Sequence, residues 1–76
     1  MSSFAKFGDR IELVDGSWVV VNRFEPLDEN RANIEFVYIG RKKKRNEKRI
    51  ARKVPDMLSN LWRFQYDGNI IFFEMV

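Results

Sequence analysis

Seventy-six residues hold material for one hydrophobic core, and 45 % of them are hydrophobic, too apolar a composition for a disordered polyelectrolyte. Neither Cys nor His occurs, which excludes disulfides, thiolate or imidazole metal sites, a Cys nucleophile and a His proton carrier. The net charge is +3, yet residues 41–53 carry nine cations and one acid, while the other sixty-three residues carry five cations and ten acids. A segment of +8 therefore sits on a body of −5, and this asymmetry is the most informative feature of the chain.

The opening "MSSFAKFGDR" lacks an apolar h-region, and no stretch has the ~20 apolar residues of a membrane-crossing helix, so a soluble cytoplasmic protein without membrane contact is expected. "RIELVDGSWVVV" predicts a β-hairpin. With Asp15-Gly16 as a two-residue type I′ turn, Leu13 pairs with Trp18 and Ile11 with Val20, placing these four on one face and Ser17 and Val19 on the wetter one. "FEPLDENRAN" (24–33) reads as a polar loop, interrupted by Pro26 and rich in acids. "NIEFVYIG" predicts a third strand, with Ile34, Phe36 and Tyr38 on one face and Val37 and Ile39 on the other.

The basic run "RKKKRNEKRIARK" (41–53) fits two conformations. As a strand it turns near residues 44–47 and returns, forming a protruding cationic hairpin with Ile50, Arg52 and Val54 on one face and Arg49, Ala51 and Lys53 on the other. As a helix over 44–53 it has good propensity and a minimal seam of Ile50 and Val54, ending before Pro55. "PDMLSNLW" predicts a short helical turn near 56–61, capped by Asp56, with Leu58 and Leu61 inward. "WRFQYDGNIIFFEMV" closes the chain with a second hairpin about Asp67-Gly68, in which Tyr66 pairs with Asn69, Phe64 with Ile71 and Trp62 with Phe73. The whole chain, 1–76, reads as a single mostly β domain: a small curved sheet or an SH3-like five-strand barrel. The alternative is α+β, with residues 44–53 helical.

Cations this dense repel one another and gain from any polyanion that neutralises them. Arg41, Lys42, Lys43, Lys44, Arg45, Lys48, Arg49, Arg52 and Lys53 are the candidate phosphate contacts of a small non-enzymatic accessory or regulatory protein that binds nucleic acid. Few apolar residues anchor the segment, so it is expected to order on binding, which favours RNA or single strands over duplex DNA. Tyr38 and Trp62 flank the run and are the candidates for stacking on unpaired bases. Of Trp18, Phe24, Phe36, Tyr38, Trp62, Phe64, Tyr66, Phe72 and Phe73, at least two-thirds are expected to be buried, since so small a domain has no other material for its core.

Residues 41–53 resemble the arginine-rich RNA-binding peptides of phage antiterminators and retroviral regulators. Those are short basic segments that order on binding an RNA stem or bulge, and the resemblance covers these thirteen residues alone. The bland alternative is a solvated loop that keeps the protein in solution. The functional alternative is a protein-interaction module, an inhibitor or adaptor. It would dock on an acidic partner or add its apolar C-terminal strand "NIIFFEMV" to another sheet, and the same strand is a candidate homodimer edge. Catalysis is not expected: the serines lack an activating base, and Gly8, Gly16, Gly40 and Gly68 are too scattered to cradle a phosphate. Asp28, Glu29 and Asn30 make at most a weak cation site, and no metal or cofactor is expected.

Overall fold

The computed structural model describes residues 5–55 and 60–75. Six strands follow one another in chain order: β1 (Arg10–Glu12), β2 (Trp18–Pro26), β3 (Arg31–Ile39), β4 (Lys44–Lys53), β5 (Leu61–Tyr66) and β6 (Asn69–Glu74). Each pairs antiparallel with the next, in the order β1-β2-β3-β4-β5-β6. The N-terminal residues nearly close this curved sheet into a barrel. The Phe7 amide donates to the Glu74 carbonyl (2.8 Å), the Glu74 amide to the Ala5 carbonyl (2.9 Å), and the Gly8 amide to the Val21 carbonyl (3.0 Å), so one segment bridges β6 and β2. The small curved sheet or barrel is thus the fold, with six strands where five were expected. No helix occurs among the described residues, and residues 44–53 are a strand; of the turn expected near 56–61, residues 56–59 lie outside the described residues, while Leu61 opens β5.

The second hairpin has the expected register, with Tyr66 opposite Asn69, Phe64 opposite Ile71 and Trp62 opposite Phe73. Asp67 and Gly68 take φ of 50° and 79°, the positive values that a type I′ turn requires. The first hairpin differs by one residue. Ile11 lies opposite Val19, and Glu12 opposite Trp18. Its loop is three residues, closed by the Leu13 amide on the Ser17 carbonyl (2.8 Å) and the Gly16 amide on the Leu13 carbonyl (3.1 Å), with Gly16 at φ 89°. The Asp15 carboxylate holds it by accepting the Ser17 amide (2.9 Å) and the Ser17 hydroxyl. A slip of one residue exchanges the faces of a strand. Val19 and Val21 are therefore the buried residues here, and Trp18 and Val20 lie outside.

The expected loop 24–33 is mostly strand, with only residues 27–30 turning. A bulge at Asn22 explains the misreading: the pairing shifts between Val21 and Arg23, so Phe24 faces inward as Val19 and Val21 do. The core collects Val19, Val21, Ala32, Ile34, Phe36, Ala51, Trp62, Phe64, Tyr66, Ile71 and Phe73. Phe36 is its centre, fully buried, with Phe64 at 4.9 Å and Tyr66 edge-on at 5.1 Å between ring centroids. Of the nine aromatics weighed above, Phe36, Trp62, Phe64, Tyr66 and Phe73 are buried; Trp18, Phe24, Tyr38 and Phe72 stay half-exposed, short of the expected two-thirds. The shortfall follows from the outer face, where Trp18 and Phe72 lie, and from β4, which gives the core only Ala51 and leaves Tyr38 thinly covered.

Candidate nucleic-acid interface

The turn before β4 falls at residues 40–43, where the Gly40 amide donates to the Lys43 carbonyl (2.8 Å), and not near 44–47. From there β4 pairs with β3 along its whole length, Ile39 opposite Lys44 through Arg31 opposite Arg52. The basic run is accordingly a long strand within the sheet, where a protruding hairpin was expected. On its other side β4 meets β5 only at Arg52 and Lys53, opposite Arg63 and Trp62. One edge of β4, from Lys44 to Ala51, is left open. Cationic side chains are a common guard of such edges against pairing with other chains.

Alternation divides the nine cations into three groups. Arg41, Lys42 and Lys43 stand exposed on the turn. Lys44, Lys48 and Arg52 project from the outer face, on the same side as Asn46 and Ile50. Arg45, Arg49 and Lys53 share the face of Ala51 and look toward the barrel's open side. Arg45 lies 5.9 Å over the Tyr38 ring and Arg49 5.2 Å over the Tyr66 ring, so aromatic faces hold these two at the gap between β4 and β5.

Few carboxylates neutralise this surface. Among the described residues, Lys48 reaches Glu35 at 3.9 Å and Arg49 reaches Glu47 at 3.3 Å; the other seven of the nine cations have no ion pair. Arg41 acts on Asp15 at longer range. It adds to the hydrogen bonds from Ser17, the main cause, that hold the Asp15 carboxyl below its ordinary value. Asp28 is lowered too, first by the Asn30 amide and then by Arg31. Both Asp28 oxygens are thereby occupied, at 2.8 Å and 2.9 Å, which leaves little for a cation at the 27–30 turn. No group of three or more Asp or Glu side chains suited to a metal gathers among the described residues, nor is any helix there long and apolar enough to cross a membrane.

The two stacking candidates separate. Tyr38 is half-exposed beside the turn, packed at 5.3 Å on Tyr66 and folded over Gly40, where an added Cβ would lie 2.9 Å from its hydroxyl. Trp62 belongs to the core: it is 5 % exposed, donates its indole N–H to Asn60 at 3.0 Å and takes the edge of Phe24 at 5.0 Å. Its ring has no free face for a base. Trp18, turned inward by the expected register, instead lies on the outer face with Ile39 opposite and Arg10 stacked 4.4 Å above it. Arg31 and Arg63 also join the cationic face through the strand register, outside the run that drew attention to it. The register of β3 and β5 is the signal that would have found them. The C-terminal edge considered for partner binding is taken at Glu74 by the parallel bridge from Lys6. Comparison with known proteins finds no significant match to the chain among family models, curated proteins or solved structures.

Proposed function

We propose that this protein binds nucleic acid, with RNA and single strands favoured, through phosphates laid against the 40–43 turn and β4, and that it acts as an accessory or regulatory factor without chemistry of its own. The observation that carries this reading is the lack of neutralisation: seven of the nine cations of residues 41–53 have no ion pair among the described residues, although the rest of the chain is acidic. Guarding an open strand edge accounts for some of these lysines. The repulsion within a run of nine cations is relieved further by a polyanion. Cations held on Tyr38 and Tyr66 beside exposed lysines suit a flexible phosphodiester chain, which can follow both the turn and the gap.

The test is a titration of labelled single-stranded RNA and of duplex DNA at two salt concentrations, beside a variant with Lys42, Lys43, Lys44 and Arg45 changed to Gln. With about five phosphates neutralised, the log-log salt slope is about −3.5 for a single strand and about −4.5 for a duplex. The variant loses most of that slope. Absence of binding by the wild type at low salt refutes the reading, and a salt-insensitive complex with a protein would replace it.

A further inference from the structure

The sheet register contains an arrangement that the basic run alone does not. Arg31 of β3 lies directly opposite Arg52 of β4, and Arg52 directly opposite Arg63 of β5. All three side chains are exposed. Directly opposed like charges destabilise a sheet, yet here three arginines occupy opposed positions on consecutive strands. Arg31 is tied to Asp28 at 2.9 Å. Arg52 and Arg63 have no ion pair among the described residues. Arg52 also stands between two clefts. One, of about 390 Å³, runs between β4 and β5 and is shared with Arg49 and Arg63; the other, of about 460 Å³, lies at the 27–30 turn, where Asp28 and Glu29 line it beside Arg31 and make it the poorer anion site of the two.

We propose that Arg31, Arg52 and Arg63 form a discrete phosphate-binding row that takes consecutive phosphates of a single strand crossing β3, β4 and β5; this rests on the nucleic-acid reading above and gives it a location. Neighbouring strands are ~4.8 Å apart, so the row spans about 10 Å. The duplex rise of ~3.4 Å per phosphate is a lower bound on the spacing of successive phosphates in a single strand, so at most about three fit that span. Arginine suits the task because its planar fork makes two parallel bonds to a phosphate. Asp28 fixes Arg31 in place and leaves Arg52 and Arg63 as the two members that a ligand neutralises. The 40–43 turn lies at the far end of the ten-residue β4, roughly 30 Å away by strand rise, so its lysines are screened from the row and meet other phosphates.

The experiment compares wild type with R52Q/R63Q and R52K/R63K by thermal melting with inorganic tripolyphosphate, and by titration of oligouridylate across a salt series. Melting without ligand at low salt comes first: R52Q/R63Q melts at or above the wild-type temperature, because two opposed charges are gone. Tripolyphosphate then raises the wild-type melting temperature clearly and that of R52Q/R63Q by less than half as much. R52K/R63K falls between them, keeping the charge but losing the forked bonds. With oligouridylate, R52Q/R63Q lowers the magnitude of the salt slope by about 1.4, two contacts at ~0.7 each. Equal response of wild type and R52Q/R63Q to tripolyphosphate overturns the row, as does an unchanged oligouridylate slope in a wild type that binds. If tripolyphosphate separates the proteins but no oligonucleotide binds, the phosphate row stands and the nucleic-acid reading falls.

Discussion

Glu47 is the one acid within residues 41–53, and its replacement by Gln separates folding from binding in a single step. It sits opposite the buried Phe36, between Arg45 and Arg49 on the same face of β4, and accepts from Arg49 at 3.3 Å. The two side chains are 25 % and 41 % exposed, so solvent screens the pair, and its loss costs about 0.5–1 kcal/mol. For a domain of this size that lowers Tm by roughly 2–8 °C. Binding moves the other way. A carboxylate about 4 Å from a bound phosphate repels it by about 1 kcal/mol even at the dielectric of water, so its removal raises affinity about fivefold. The freed Arg49 adds one phosphate contact and steepens the single-strand salt slope by about 0.7, a further factor of about 2.6 in affinity between about 50 and 200 mM salt. Melting and a salt series of RNA titrations on E47Q and wild type read both effects. A less stable E47Q whose affinity and slope equal those of the wild type would show that the cations at the β4–β5 gap do not meet the ligand, and binding would then be confined to the turn and the outer face.

Phe36→Ala removes the ring at the centre of the core, where exposure is 0 %, and costs about 3–5 kcal/mol. That equals the whole margin a core of this size supplies, so F36A is unfolded at room temperature by near-ultraviolet circular dichroism, while I34V only shifts the urea midpoint. A folded F36A would show that the margin is larger than the core allows. Asp28 has a lowered pKa in the folded chain, because the Asn30 amide and Arg31 favour its charged form. Its stabilisation is therefore present above the ordinary value of 3.8 and is lost as pH falls through the depressed folded value. D28N loses less stability than the wild type over that acid range in urea titrations, and coincident pH profiles would refute the assignment.

The two Asp-Gly dipeptides mark what the sequence could convey. Both announce a hairpin, but the side chain around each decides loop length. Asp67 accepts positive φ and gives a two-residue turn, whereas Asp15 turns its carboxylate onto Ser17 and builds a three-residue loop. The residue two places on, Ser17 against Asn69, was the readable difference. Phe24 was lost to a polar loop because the bulge at Asn22 breaks the alternation that a strand should show. The cationic surface was legible as composition, yet its division among turn, outer face and gap depends on parity within β4. The arginine row depends on the register of three strands, which no single segment encodes.

A strand with Arg45, Glu47 and Arg49 on its inward face is a poor choice for closing a barrel, and the consequences of that choice link fold to function. Ordinary apolar residues at these positions would draw β4 onto β5 along its length and complete the core. Instead the two strands meet only at Arg52 and Lys53. The open side is floored by Tyr38 and Tyr66, whose ring faces accept the guanidiniums of Arg45 and Arg49 without burying them in hydrocarbon. A cation on a ring face is worth roughly 0.5–1 kcal/mol when exposed, less than an aliphatic core contact of ~1.5–3 kcal/mol, so the arrangement gives up stability. Directly opposed arginines at Arg31, Arg52 and Arg63 weaken the sheet further on its outer face. Both losses concentrate on the β4 side, while the packed aromatics lie on the other strands. A polyanion bound there would return what the free protein lacks, and the proposed ligand and the fold would then be thermodynamically linked: the tighter the phosphates bound, the more stable the sheet would become.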